Sequence, residues 1–405
     1  VPEPGAARIA VDLLGGDHAP AVVVDGALRA CQADPALKLL LVGPVEAADA
    51  LLHALDPAER HRVSTITAPA GPTGPAEHNA ARPDRGNSDP AGVDHGDSRS
   101  SRPDRGDSRS SRPDRGNSDP AGVDRGDSRP SRPDHGDSRP SRSDRAVSRA
   151  AGADQALSRV ESGVRTAVLA VAQGHADAVV SAGSTGATVT SAALGLGRWP
   201  GVRRPALAAV LPTISGRLVL LDVGSSVDPD EHTLATHARL GAAYAVAVHG
   251  LVAPRVGLLT IGTERGKGDR LRRAAPAALA ELDLPGGGRY IGLVEGSDVV
   301  TGATADVVVT DGFTGNVLLK GLETAYAVIR TPGSGAAPPR AAILLGVGGT
   351  VVVCHGAAAG ADIAAGIALA ADLHRRAAVP VITDLMQFPG EQPGPAAHED
   401  SRGGS

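Results

Sequence analysis

Glycines beside hydroxyls, a lysine and an asparagine stand at the ends of apolar runs, a pattern that suits the handling of an anion. Gly183-Ser184-Thr185-Gly186 follows the apolar run Ala178 to Ser181 and reads as a strand-to-helix turn with two hydroxyls. Backbone N–H groups at such a helix start favour phosphate. Gly262-Thr263-Glu264-Arg265-Gly266-Lys267-Gly268 sets Lys267 between glycines that allow close backbone approach, but its spacing is not that of a Walker loop. Asp311-Gly312-Phe313-Thr314-Gly315-Asn316 follows another apolar run, which puts Asn316 and Lys320 at or just inside the next helix. Phe313 reads equally as a core plug. In the first loop His18 offers a donor and Asp17 either a ligand contact or a helix cap. His355 closes the last strand, as a donor or as a satisfied structural histidine. No cluster of His, Cys and carboxylates has metal-ligand spacing, so no metal is expected.

The elements that must carry these loops alternate. Arg8 to Leu13 reads as a strand ending in Gly15-Gly16-Asp17-His18-Ala19-Pro20, Val22 to Cys31 as a helix and Leu37 to Val42 as a second buried strand. Val164 to Gln173 reads as a helix and Ala178 to Ser181 as a strand. Further strands are expected at Arg217 to Asp222, Arg255 to Ile261, Tyr290 to Val294, Asp306 to Thr310 and Thr350 to Cys354. Such alternation predicts an α/β fold with a mostly parallel sheet under helices. In open sheets of this class ligands bind at the carboxyl ends of strands.

Composition narrows the function classes. The chain has 405 residues, 41% of them hydrophobic, but six aromatics (one Trp, three Tyr, two Phe), so its core must be built from Ala, Val, Leu and Ile. Forty basic against 45 acidic side chains give a formal charge of −5, which offers a polyanion no broad attraction and argues against nucleic acid as a partner. Two cysteines make no disulfide framework, and no charged start leads into an apolar core, so the cytoplasm is the expected compartment. The longest apolar run, Ala341 to Val353, is broken by glycines and shorter than the ~20 residues of a membrane span.

From Arg82 to about Ala151 the chain repeats every ten residues, with Asp at 84, 94, 104, 114, 124, 134 and 144 and Ser four positions after each. The unit approximates RPDRGDSRPS and holds almost nothing apolar, which predicts a disordered insert produced by tandem duplication. Arg-Gly-Asp-Ser occurs at 105–108 and 125–128, but the repeat generates it automatically. The expected organisation is residues 1–81 and 152–386 forming one catalytic fold, interrupted by the insert at 82–151 and followed by a disordered tail at 387–405.

Seven stretches in order carry a resemblance to a known family: VDLLGGDHAP (Val11 to Pro20), ADAVVSAGSTGA (Ala176 to Ala187), RPALAAVLPT (Arg204 to Thr213), LLDVGSSVD (Leu220 to Asp228), PRVGLLTIGTERGKGD (Pro254 to Asp269), ADVVVTDGFTGNVLLK (Ala305 to Lys320) and LLGVGGTVVVCHG (Leu344 to Gly356). They resemble the PlsX acyl-carrier-protein:phosphate acyltransferases, over Arg8 to about Leu373 apart from the repeat. The resemblance implies a Rossmann-like layered fold, isocitrate/isopropylmalate dehydrogenase-like, in a homodimer without a cofactor. It implies formation of acyl phosphate from acyl carrier protein thioester and inorganic phosphate, for phospholipid biosynthesis. His18, Lys267 and Asn316 are then the expected catalytic residues, with Asp17, Gly183, Ser184, Thr185, Gly186, Thr263, Asp311, Thr314, Lys320 and His355 binding substrate.

The chemistry fits those residue types. Phosphate needs little activation as a nucleophile, but it is an anion approaching a carbonyl that becomes an oxyanion. Backbone N–H groups, a few cations and neutral donors meet that demand. The leaving thiolate is comparatively stable, with a free thiol pKa of about 8.5.

The chain departs from the family pattern where Ser184, Ser226 and Gly348 stand in place of Asn. Losing one aimed oxyanion donor removes about 2.7–4 kcal/mol of transition-state stabilisation. A second reading is therefore a catalytically impaired member that binds acyl carrier protein or phosphate without turnover. Thr331 to Pro339 is a Gly/Pro linker where the family has a helical hairpin associated with dimer contacts and peripheral membrane contact. A nicotinamide dehydrogenase of related fold is disfavoured because no GxGxxG turn precedes a ribose-binding acid.

Overall fold

A computed structural model of the chain describes residues 5–57, 59–68, 162–264, 266–329 and 341–387. The decamer repeat, the linker at 331–339 and the tail from 388 onward lie outside the described residues.

The described elements run β1 (Ala7–Asp12), α1 (Ala21–Ala33), β2 (Leu37–Val42), α2 (Val45–Ala54), β3 (Val63–Ile66), α3 (162–172), β4 (Ala178–Ser181), α4 (Thr185–Gly195), β5 (Ala206–Thr213), β6 (Gly216–Leu221) and α5 (Glu231–His249). They continue with β7 (Arg255–Leu259), α6 (Arg270–Ala280), β8 (Arg289–Val294), α7 (Gly296–Thr301), β9 (Val307–Val309), α8 (Gly312–Ile329), β10 (Ala341–Leu345), β11 (Thr350–Cys354), α9 (Gly360–Arg375) and α10 (Ala378–Met386). All the strands join one sheet in the order β3-β2-β1-β4-β11-β10-β5-β6-β9-β7-β8.

Strands such as LKLLLV of β2 and TVVVC of β11 are near-continuous apolar runs because both faces of the sheet are covered. Alternation sorts their side chains into two cores. Ile9, Val11, Leu39, Leu41 and Val180 join α1, α2, α5, α6, α9 and α10 on one face. Ala10, Leu40, Val42, Val179, Leu207 and Leu344 join α3, α4, α7 and α8 on the other. Tyr244 is among the largest fully buried side chains, in a core otherwise made almost wholly of aliphatic residues.

The mostly parallel α/β fold is present, and the expected strands form with shifts of one or two residues. The pairings β5–β6, β5–β10 and β10–β11 are antiparallel, however. Strands β3, β2, β1, β4 and β11 therefore run one way, and β6, β9, β7 and β8 the other. The two parallel blocks present their carboxyl ends at opposite edges of the sheet. Helix α8 follows β9 and packs Leu318, Leu319 and Leu322 on the second core, so it carries residues from one block toward the ends of the other.

Candidate active site

Two buried aspartates shape the turns around the site. Asp12 closes β1 and accepts from Ser181 Oγ at 2.8 Å, while the same Oγ accepts from Gly183 N–H at 3.1 Å. The relay fixes the Gly183 turn. A Cβ on Gly15 would lie 2.5 Å from Gly183 N, so the first loop and the turn after β4 touch backbone to backbone. Burial pushes the Asp12 carboxyl up to about 6, against the pull of Ser181 and Leu14.

Asp222 closes β6 in the same manner. Its Oδ1 accepts from Leu207, Gly224 and Ser225 N–H at 3.2, 3.1 and 2.9 Å, and its Oδ2 from Ser226 N–H at 2.6 Å. Burial again raises its pKa to about 6, although the four backbone donors work the other way. The reward is a rigid Gly224 turn with φ +140°, a conformation that favours glycine.

Onto that turn comes α8. Asn316 Nδ2 donates to Val223 O at 2.9 Å, and a Cβ on Gly224 would lie 2.9 Å from Asn316 Nδ2 and 3.8 Å from Thr185 Cγ2. Thr185 starts α4, whose first turn has Ser184 as its cap, accepting weakly from Ala187 N–H at 3.5 Å. One turn along α8, Lys320 Nζ stands 2.6 Å from His355 Nε2. His355 Nδ1 faces Ala357 N–H at 3.2 Å, and burial together with the Lys320 charge holds the imidazole below its usual pKa against the pull of Asp17. Asp17 is drawn in by its own N–H, which donates to Gly356 O at 2.8 Å.

The structure thus brings Asp17, Gly183, Ser184, Thr185, Asn316, Lys320 and His355 together from four strand-end loops and helix starts. Asp17 is not the cap of α1, since Pro20 occupies that position. His18 is exposed beside it, and Gly186 is exposed in the first turn of α4. Phe313 is 63% exposed rather than a core plug.

Other residues named from the sequence are held by contacts of their own. Lys267 is exposed on the loop after β7 and folds over Gly262, where a Cβ would lie 3.5 Å from Lys267 Cγ. Thr263 N–H donates to Glu295 Oε1 at 3.2 Å. No described contact joins either residue to Asn316. Asp311 and Thr314 are held by Arg272, a buried guanidinium that donates to Asp311 Oδ2, to Thr310 Oγ1 at 2.9 Å and to Leu259 O at 3.1 Å. Asp311 Oδ1 also accepts from Thr314 N–H at 2.8 Å. Burial opposes the charge on Asp311, but Thr314 and Arg272 outweigh it and hold the carboxyl below the ordinary carboxylate range.

The three Asn departures separate as well. Ser184 borders the site; Ser226 donates its N–H to Asp222 and accepts from Gly312 N–H at 2.7 Å. Gly348 lies in the β10–β11 connection, near Leu196 at the far end of α4. Asp12, Asp222 and Arg272 were missed as functional positions, although Val11-Asp12 and Leu221-Asp222 share a visible signal: an acid closing an apolar run just before glycines. Among the described residues no group of three or more His, Cys, Asp or Glu is placed to hold a metal ion.

The model of the fatty acid synthesis protein family matches residues 7–72 and 142–331. The phosphate acyltransferase of Thermobifida fusca is 42% identical over 245 residues, 54% of this chain and 68% of that protein. That of Heliobacterium modesticaldum is 30% identical over 376 residues, 86% of this chain and 88% of that protein. With the phosphate acyltransferase of Desulfitobacterium hafniense (strain Y51) identity reaches 46%, but the alignment spans about half of that relative, 48%. A phosphotransacetylase from Streptococcus pyogenes shares the fold at a TM-score of 0.50 and 17% identity, covering 91% of this chain and 94% of that one. An α/β acyltransferase that works with phosphate is the class these findings define. The chain belongs to the fatty acid synthesis protein family, whose matched members are phosphate acyltransferases.

Proposed function

We propose that the chain transfers an acyl group from acyl carrier protein to inorganic phosphate at the cluster around Asn316. A phosphate oxygen attacks the thioester carbonyl, the C–O bond forms, the C–S bond breaks, and the carrier leaves as a thiolate that takes a proton. The products are acyl phosphate and free carrier thiol. One observation carries this reading: the α4 start, the Gly224 turn, Asn316 and the Lys320–His355 pair meet at one place.

At 2.6 Å the Lys320 ammonium donates to His355 Nε2, which accepts in the neutral ring. The remaining protons of the Lys320 ammonium suit an anionic acceptor, and the N–H groups of the first α4 turn add to them. Lys320 and the helix start would hold phosphate, while Asn316 Nδ2 and His18 would serve the oxyanion or the departing thiolate. Asp311 and Thr314 would anchor the start of α8 through Arg272, while the exposed Lys267, Thr263 and Gly186 would meet the carrier's arm. The enzyme would act in the cytoplasm as a homodimer with peripheral contact to a membrane; no described helix is long and apolar enough to cross one.

Phosphate-dependent release of carrier thiol from purified protein and an acyl carrier thioester tests the proposal. The second reading, binding without turnover, draws on Ser184, whose hydroxyl has one short donor where an amide would aim two. Saturable carrier binding with no thiol released would favour it.

A further inference from the structure

Directly behind the cluster the sheet has a notch. Ala209 of β5 pairs in register with Ala342 of β10, which pairs with Val353 of β11, so one lateral row across three strands ends in small side chains. These residues belong to the core face covered by α8. Two alanines under Leu319 leave a slot of about 50 Å³, walled by Leu207, Val223 and Val353, with Thr185, Asn316 and His355 at its polar mouth. Volume on that scale takes roughly three or four water-sized groups. Such a slot is too small for a cofactor and too apolar for phosphate.

We infer that this slot takes the first carbons of the acyl group, those next to the reacting carbonyl. The inference rests on the phosphate acyltransferase reading, which puts the carbonyl at Asn316. A carbonyl at the mouth, with phosphate held on the Lys320 side, leaves the carbon chain no polar partner and the alanine row as its nearest dry surface. The one carboxyl in the lining, Glu323, is pushed up by burial, although Lys320 pulls the other way.

Depth then sets selectivity. Each methylene that enters the slot should raise kcat/KM about fourfold, the factor equivalent to its burial, and the gain should level off near four carbons. Carrier thioesters of acetyl, butyryl and hexanoyl groups, assayed by phosphate-dependent thiol release with the full chain, read this profile. Ala342→Leu fills the notch, and the butyryl-to-acetyl ratio of kcat/KM should fall at least tenfold. Leu319→Ala opens the slot from the helix side without adding bulk to the sheet, and should move the plateau to longer chains. Should Ala342→Leu fail to fold, as judged by its melting curve, the Leu319→Ala profile decides. An active protein whose variants keep the wild-type chain-length profile overturns the slot assignment alone. A wild-type protein that releases thiol from none of the thioesters overturns the activity reading, and the assignment with it.

Discussion

At the scale of the residue, the site depends on a few donors whose neighbours set their chemistry. Replacing Asn316 with Ala removes the amide that bridges α8 to the Gly224 turn, and kcat should fall by about 10²–10³-fold if that amide serves the oxyanion. Lys320→Ala makes a complementary prediction. Because the lysine charge helps to depress the His355 pKa, its removal should raise that pKa toward the usual value, which an NMR titration of the ring would follow. An unmoved or lower pKa would contradict the pairing. The Asn departures can be tested separately. Ser184→Asn keeps a good cap and should leave stability within about 0.5 kcal/mol while raising the rate if an amide is wanted there. Gly348→Asn puts a Cβ 2.4 Å from Leu196 O, and should destabilise by about 1–3 kcal/mol without any gain in rate. The residue types were legible in the sequence, since Thr185, Asn316 and His355 stand beside glycines at strand ends. Their partners were not. That Lys320 meets His355 depends on how α8 crosses the sheet, which no local spacing encodes.

At the scale of the element, buried charge holds the loops. Arg272 ties α6 to Asp311 at the start of α8, and Asp311→Ala would leave the buried guanidinium with the exposed Asp269 as its remaining carboxylate, a loss of about 3 kcal/mol in a denaturant titration. The pH dependence follows from the sign of the shift. Asp311 is held below its unfolded value of about 3.9, so its stabilising contribution is complete above that pH and is lost as pH falls through the lower folded value. Asp311→Asn should therefore flatten the acid limb of stability against pH. Asp12 and Asp222 act oppositely. Their folded values near 6 mean that stability is lost as pH rises from about 4 to 6, where the unfolded chain has already released those protons. Most strands were readable because parallel strands buried on both faces are long apolar runs. Strands β3, β5 and β10 were not singled out: Val63–Ile66 is four residues with two hydroxyls, Ala206–Thr213 mixes alanines with a proline, and Ala341–Leu345 merges into a longer apolar stretch with β11. Their antiparallel direction, which splits the sheet into two opposed blocks, has no signature in hydrophobic pattern at all.

At the scale of the whole molecule, the catalytic unit is divided in sequence between residues before and after the decamer repeat. The repeat was the plainest feature of the sequence because its composition and period need no tertiary information. Deleting residues 82–151 should leave the fold intact and, through the shorter loop, change stability by only about 1 kcal/mol. A fall in melting temperature of more than ten degrees or so would refute this. The central claim is that phosphate and a thioester react where the Gly224 turn, Asn316 and the Lys320–His355 pair converge. Its most direct test is to trap acyl phosphate with hydroxylamine after mixing the full chain, an acyl carrier thioester and phosphate. Hydroxamate should require phosphate and fall at least a hundredfold in Asn316→Ala; hydroxamate no higher than in the protein-free blank at any pH, or a variant as active as wild type, would contradict this placement of the reaction.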